Sequence, residues 1–253
     1  MMKIAVLSSG SKGNCTFVKA GEKRFLLDAG RNCKYIEEAL MKIGEDIKSL
    51  DYVLISHNHK DHVSALKVLL KKTGAKLLVS PKLFASIDDI SDYPHVISFE
   101  DNLFLDGIDI TSFKSSHDAP DSRNFIINAG GEKMAYVTDT GYVNNKYFKM
   151  LSNLDYYLFE SNHDIEMLQH GPYPAWLKKR VLSDEGHLSN QSCAFYLTKL
   201  VGPKTKKIVL IHLSETNNLE SLALETVNNT FSDYNVDFKD IVCARQNEIT
   251  EVM

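Results

Sequence analysis

Residues 51–62 read Asp51-Tyr52-Val53-Leu54-Ile55-Ser56-His57-Asn58-His59-Lys60-Asp61-His62. Tyr52 to Ile55 is a short aromatic and aliphatic run of the kind that fills a buried strand. Directly after it come His57, His59, Asp61 and His62. Imidazoles resist full burial, and each one needs hydrogen-bond partners, so so dense a group is poorly explained as packing. A loop at a strand end that folds back on itself explains it as a metal site. Imidazole nitrogen with carboxylate oxygen suits zinc, manganese or iron. The bland alternative is a polar loop that happens to be rich in histidine.

Working outward, 253 residues with 43% hydrophobic side chains and a formal net charge of −4 describe an ordinary globular chain. The balance advertises no nucleic-acid binder, yet a local basic patch can act against an acidic whole. Cys15, Cys33, Cys193 and Cys243 have no CxxC spacing. They read as reduced thiols in a cytoplasmic protein. The apolar run before Ser8 is too short for a signal peptide, and no run reaches the length of a membrane span. No linker is visible, so residues 1–253 read as one domain.

Taken in order, Ile4–Leu7 predicts a strand entering the small-residue loop Ser8-Ser9-Gly10-Ser11-Lys12-Gly13-Asn14. Such a loop brings backbone amides close to an anion, or is simply a connection. Thr16–Lys19 and Arg24–Leu27 predict two more strands. Asp28 then stands before Ala29-Gly30, as a turn residue or as a group that orients a ligand imidazole. Cys33–Ile43 and Val63–Lys72 have helical periodicity. Lys76–Val79, Val96–Phe99, Asn102–Leu105 and Ile108–Phe113 predict strands. A hairpin over Gly130-Gly131 joins Phe125–Asn128 to Met134–Val137. Later strands are expected at Tyr156–Phe159 and Ile208–Ile211, helices at about 190–200 and 218–230, and a carboxy-terminal β pair at Ile241–Ala244 and Ile249–Val252. His57, His117, Asp139 and His212 each follow an apolar strand, and ligands gathered at strand ends are what a sheet-based scaffold offers a site.

The spacing of His57, His59, Asp61 and His62 resembles the HxHxDH signature of the metallo-β-lactamase superfamily and differs from the helical HExxH pattern. Asp28 matches the superfamily's first motif, His117 its third, Asp139 its fourth and His212 its fifth. The resemblance spans nearly the whole chain. It implies an α/β fold, the αβ/βα four-layer sandwich of two mixed sheets packed face to face with outer helices. Position by position, it implies two divalent ions: one on His57, His59 and His117, the other on Asp61, His62 and His212, with Asp139 bridging and Asp61 also counted with the catalytic groups. Zinc β-lactamases have Cys where Asp139 stands. Flavo-diiron proteins have Glu where His59 stands. Nucleases with a β-CASP insert have a far longer interval than 139–212.

Shorter segments resemble one bacterial branch, the WalJ/YycJ-type proteins: the Ser8–Asn14 loop, Thr138-Asp139-Thr140-Gly141, Glu160-Ser161-Asn162-His163-Asp164, Gly186-His187-Leu188-Ser189-Asn190 and His212-Leu213-Ser214. That resemblance implies an exonuclease acting on DNA from 5′ ends, connected with mismatch repair, with DNA and repair proteins as partners. The Gly186-His187-Leu188 segment is similar to one in ribonuclease Z, which implies proton transfer by His187; a structural histidine beside a helix cap is the alternative. Glu160 and His163 are expected to support the ligands or His187. Ser11, Asn14, Lys178, Lys179 and Arg180 are expected along the DNA path, although such basic runs are commonly solvated surface. The rival readings are a small-molecule phosphodiesterase or thioesterase of the same fold, a ribonuclease Z-like RNA nuclease, and a non-catalytic scaffold that binds DNA or repair partners.

Overall fold

The computed structural model describes residues 2–253. Its strands are β1 (Met2–Ser8), β2 (Cys15–Ala20), β3 (Lys23–Leu27), β4 (Tyr52–Leu54), β5 (Lys76–Val79), β6 (Val96–Ser98), β7 (Asn102–Leu105), β8 (Ile108–Lys114), β9 (Arg123–Ala129), β10 (Glu132–Val137), β11 (Tyr156–Glu160), β12 (Lys207–Ile211), β13 (Ile241–Cys243) and β14 (Thr250–Glu251). Its α-helices are α1 (Cys33–Lys42), α2 (Lys60–Val63), α3 (Leu66–Thr73), α4 (Pro81–Phe84), α5 (Phe148–Leu151), α6 (Ile165–His170), α7 (Ala175–Val181), α8 (Asn190–Leu200) and α9 (Glu220–Asp233). Two seven-stranded sheets result, in the orders β14-β1-β2-β3-β4-β5-β6 and β13-β12-β11-β10-β9-β8-β7. Each sheet is antiparallel through its early strands and parallel through its later ones.

Alternation along the strands decides the layers. Ile4, Val18, Phe25 and Leu54 of the first sheet meet Ile110, Ile127, Tyr136 and Leu158 of the second in one shared core. The residues between them turn outward. Leu7, Phe17, Leu26 and Val53 pack against Ile36 and Leu40 of α1 and Leu66, Leu69 and Leu70 of α3. Val137, Tyr157, Phe159 and Leu210 pack against α8 and α9 through Leu197, Val227 and Phe231. The expected four layers are therefore present. The four cysteines are free, and Cys15 and Cys193 act as small core residues. Among the described residues, no helix is long and apolar enough to cross a membrane.

Two expectations fail for identifiable reasons. Val63–Lys72 is not one helix: α2 starts at Lys60, and the helix breaks at Ser64-Ala65. The Asp61 carbonyl accepts from the Asn14 amide at 2.7 Å, and the Ala65 amide donates to the Ala29 carbonyl at 2.9 Å, so the bond that would continue the helix is lost to other partners. The carboxy-terminal strands do not pair with each other either. β13 joins β12 in the second sheet and β14 joins β1 in the first. Between them Gln246 is pinned under the amino-terminal loop: its Oε1 accepts from the Lys12 amide and its Nε2 donates to the Gly13 carbonyl. Periodicity reveals a strand, not its neighbour.

Gly30 sits where the loop after β3 passes the metal-motif loop. A Cβ there would lie 1.6 Å from the Asp61 carbonyl oxygen, against backbone that cannot rotate aside. Gly44, past the end of α1, has φ +77° and open space around it. Gly30→Ala should therefore cost about 3 kcal/mol or more as overpacking, and Gly44→Ala only about 1 kcal/mol of left-handed strain. Urea denaturation midpoints check this; equal losses would show that the 28–30 and 61 backbones are not held in contact.

Candidate metal centre

The parallel strands deliver their carboxyl ends to one edge shared by both sheets. Asp28 follows β3, Asp139 follows β10 and His212 follows β12, and all three have left-handed backbones, with φ of 60°, 48° and 57°. Non-glycine residues seldom occupy this region, with Asp and His among the more tolerant. Held there, each ends its strand and turns the chain across the edge. His57 follows β4 by way of Ile55 and Ser56, and His117 lies beyond β8.

The expected ligands converge. Donor atoms of His57, His59 and His117 lie within 4.8 Å of one another, as do those of Asp61, His62 and His212. Asp139 faces both groups: Oδ2 is 3.1 Å from His62 Nε2, and Oδ1 is 3.6 Å from His117 Nε2. Four imidazoles spend Nδ1 on an outer partner. His57 has Ser56 Oγ at 3.0 Å, His62 has Asp28 at 2.8 Å, His117 has the Gly186 carbonyl at 3.1 Å and His212 has Glu160 at 2.9 Å. Such partners fix the tautomer and aim Nε2 inward. Nε2 of His57 and of His212 is buried with no hydrogen-bond partner. Buried orphans of this kind need an explanation, and inward-aimed nitrogens opposite carboxylates fit a divalent metal ion.

Charge agrees with the donor set. Burial, reinforced by His62, lowers the His57 pKa well below the ordinary value, and burial likewise lowers His59 and His117. These three are neutral, which is the ligating form. Burial opposes a charge on His62, yet Asp139, Asp28 and Asp61 outweigh it and raise that pKa well above the ordinary range. For His212, Asp139, Asp61 and Glu160 overcome burial and raise the value to about 10. Burial opposes charge on Asp61 and Asp139 too, but the facing imidazoles hold both carboxyls low. Asp28, Asp61, Asp139 and Glu160 make no ion pair with Lys or Arg among the described residues. Protons on His62 and His212 provide the compensation, and a divalent cation would displace them.

Asp28 is wholly buried and accepts from the Ser56 amide, Ser56 Oγ, His62 Nδ1 and Tyr136 Oη, all at 2.8–2.9 Å. It is thus an orienting group and not merely a turn residue. Glu160 is also wholly buried. One of its oxygens holds both His187 Nδ1, at 2.8 Å, and His212 Nδ1, and the other accepts from the Thr140 amide. Burial opposes this carboxylate, but His187 and His212 lower its pKa to about 2. His187 lines the pocket with its Nδ1 taken by Glu160. Gly186 is required just before it, because a Cβ would meet the Val181 and Arg180 carbonyls at 2.2 and 2.4 Å.

Other expectations are corrected. The Ser8–Asn14 loop is not an anion cradle. The amides of Ser9, Gly10, Lys12, Gly13 and Asn14 already donate to Arg245, Asn14 Oδ1, Gln246, Gly10 and Asp61. Asn14 is buried with its Nδ2 3.0 Å from His62 Nε2, and Ser11 lines the pocket. His163 is buried with neither ring nitrogen bonded, so it supports neither a ligand nor His187 by a ring hydrogen bond, and burial lowers its pKa to about 4. Of Lys178, Lys179 and Arg180, Arg180 lines the pocket and Lys179 is exposed. Lys178 Nζ donates to the Gln169 carbonyl, while Arg180 forks onto Asp118 at 2.5 and 2.8 Å.

Sequence reasoning missed Ser56 and Tyr136 beneath Asp28, Asp118 opposite Arg180, and Lys60, Tyr173 and Leu177 on the pocket wall. Ser56, Lys60 and Asp118 adjoin quoted histidines, a usable signal; nothing distinguishes Tyr136 within its apolar strand. The pocket has a volume of about 360 Å³ and opens between the metal-motif loop and α7.

Residues 9–212 match the metallo-beta-lactamase superfamily. Over 248 residues the chain is 37% identical to exodeoxyribonuclease WalJ of Streptococcus pneumoniae, covering 94% of this chain and 92% of that one. It is 34% identical over 238 residues to exodeoxyribonuclease YycJ of Bacillus anthracis, covering 92% and 90%. The crystal structure of the metallo-beta-lactamase fold protein YhfI from Bacillus subtilis superposes with a TM-score of 0.74 at 16% identity, covering 99% of each chain.

Asp28→Asn would set a donor NH₂ against groups that all donate to the carboxylate. Metal affinity should fall about 10–100-fold, the usual cost of losing such a partner, read by chelator competition. Tyr136→Phe should cost less. Unchanged affinity in Asp28→Asn would show that His62 is oriented by something else.

Proposed function

The chain belongs to the metallo-β-lactamase superfamily of metal-dependent hydrolases, and on that footing we propose that it is a DNA exonuclease acting from 5′ ends, with DNA-repair proteins as its working partners. The similarity over nearly full length to two proteins named exodeoxyribonuclease carries this reading. Two divalent ions, zinc, manganese or iron, would be held by His57, His59 and His117 and by Asp61, His62 and His212, with one Asp139 oxygen turned to each group. When bound, such a pair neutralises phosphoryl charge and acidifies water towards neutral pH.

The chain's own residues do the rest. Water oxygen becomes bonded to phosphorus as the P–O3′ bond breaks, and the leaving 3′-oxygen needs a proton. His187 supplies it from Nε2, while the Glu160 carboxylate on Nδ1 fixes the ring's orientation. Lys60, exposed on the pocket wall and without an ion pair among the described residues, is placed to meet a phosphate. The pocket opens to solvent between exposed side chains, which favours a polymer over a small, enclosed diester or thioester.

The reading is tested with end-labelled DNA and divalent ion. Linear DNA should be degraded from its 5′ ends, whereas covalently closed circles should persist. Circles cut as readily as linear DNA would refute the exonuclease. Turnover of small diesters alone would make the protein a small-molecule phosphodiesterase.

His187→Ala should retain metal and lose about 10²–10⁴-fold activity on DNA, the range for general acid catalysis. On a p-nitrophenyl diester, whose leaving group departs without a proton, the loss should be far smaller. Equal losses on both substrates, or loss of a metal, would make His187 a ligand instead.

A further inference from the structure

Helix α7 forms one wall of the pocket, with Leu177 and Arg180 facing it and Tyr173 just before the helix. Only Val181 of the helix is buried. Val181, whose carbonyl accepts from the His187 amide, fixes the carboxyl end of the helix, and two polar contacts add to it: the Arg180 fork onto Asp118, beside His117, and the Lys178 ammonium on the Gln169 carbonyl. Trp176, the one tryptophan of the chain, stands on this helix with 69% of its surface exposed. The indole therefore contributes little to the core. It lies one helical turn before Arg180, a spacing that makes the two side chains neighbours on the surface. Trp176 therefore stands on the helix that walls the pocket, just outside the residues that line it.

We propose that Trp176 is a stacking platform for an unpaired base of a single-stranded DNA end, which fixes the strand while its phosphodiester lies in the pocket; this rests on the DNA reading of the centre given above. Any base presents a π-face, so a lone indole binds without regard to sequence. Inside a duplex the base faces are covered by neighbouring pairs, which leaves only frayed or single-stranded ends for Trp176. Continuity with the pocket selects this occupant: Arg180 belongs both to the wall and to the rim that carries the indole.

The sole tryptophan is also the probe. Metal-loaded protein is titrated with a phosphorothioate oligothymidylate and with an abasic oligomer of equal length, following intrinsic fluorescence. The thymidylate should quench it and the abasic strand should not. Trp176→Ala should bind the thymidylate about 5- to 150-fold more weakly, the range expected for one lost base stack. Trp176→Phe should recover most of that loss, and both variants should hydrolyse bis-p-nitrophenyl phosphate as the parent does. Equal quenching by the abasic strand, or a Trp176→Ala variant that binds and degrades single strands normally, would overturn the platform while leaving the exonuclease reading intact. A parent protein that neither binds nor degrades DNA would overturn both.

Discussion

A carboxylate buried with no lysine or arginine beside it holds this molecule together at its functional edge. Asp28 takes four donor contacts from three places: Ser56 after β4, His62 in α2 and Tyr136 in β10 of the opposite sheet. A buried charge stripped of such partners costs about 3–5 kcal/mol, so each donor is constrained by the need to stay. The same contacts set the tautomer of His62 and tie the first sheet to the second directly beneath the ligand cluster. Fold and site therefore share a bond here. The left-handed backbone at Asp28, φ 60°, persists because the carboxylate has only one place to go.

Glu160 plays the corresponding part in the second sheet, at the end of β11. It links His212 to His187, and a mesh of amides fixes the loops around it: Asn218 donates to the Ser161 carbonyl and to Asn190 Oδ1, and Ser161 Oγ donates to the same Asn190 oxygen. The two sheets thus reach the seam in similar ways, each with parallel strands ending in a buried carboxylate that orients imidazoles. Candidate ligands come from both sides of that seam, His57 and His62 from the first sheet, His117, Asp139 and His212 from the second. Metal binding at such a seam is linked to the packing of the sheets, because the ligand set exists only when both are in place.

Much of this was legible in the chain. The run Tyr52–His62 announced a strand feeding a ligand cluster, and the recurrence of His or Asp after apolar strands located His117, Asp139 and His212 on one edge. What stayed hidden has a common cause. Whether a backbone amide is free depends on what folds against it, so the glycine-rich loop admits both a cradle and a plain connection until Gln246, far away in sequence, and Asp61 are seen to take its amides. At Lys178–Arg180 the run alone likewise hides Asp118, the partner that fixes Arg180 at the pocket and lies 62 residues away. The break between α2 and α3 came from the same source, a carbonyl at Asp61 taken by Asn14.

The floor and the rim of the pocket are built by different forces, and this bears on how the fold serves unlike substrates. The floor is strand ends, buried carboxylates and imidazoles, all mutually bonded; a change at any of them propagates to the rest. The rim is α7, held by the buried Val181, by the His187 amide on the Val181 carbonyl, by one lysine bond and by one ion pair, and surface ion pairs contribute only about 0–1 kcal/mol. Its outward side chains can vary without touching the imidazoles, whereas its carboxyl end packs on the Gly186-His187 backbone and cannot. Sites on rigid elements give accurate chemistry, whereas surface connections tolerate variation. The outward side chains of α7 and the Lys60 loop are therefore the part of the pocket free to vary, and the mutually bonded seam beneath them is the part that is not.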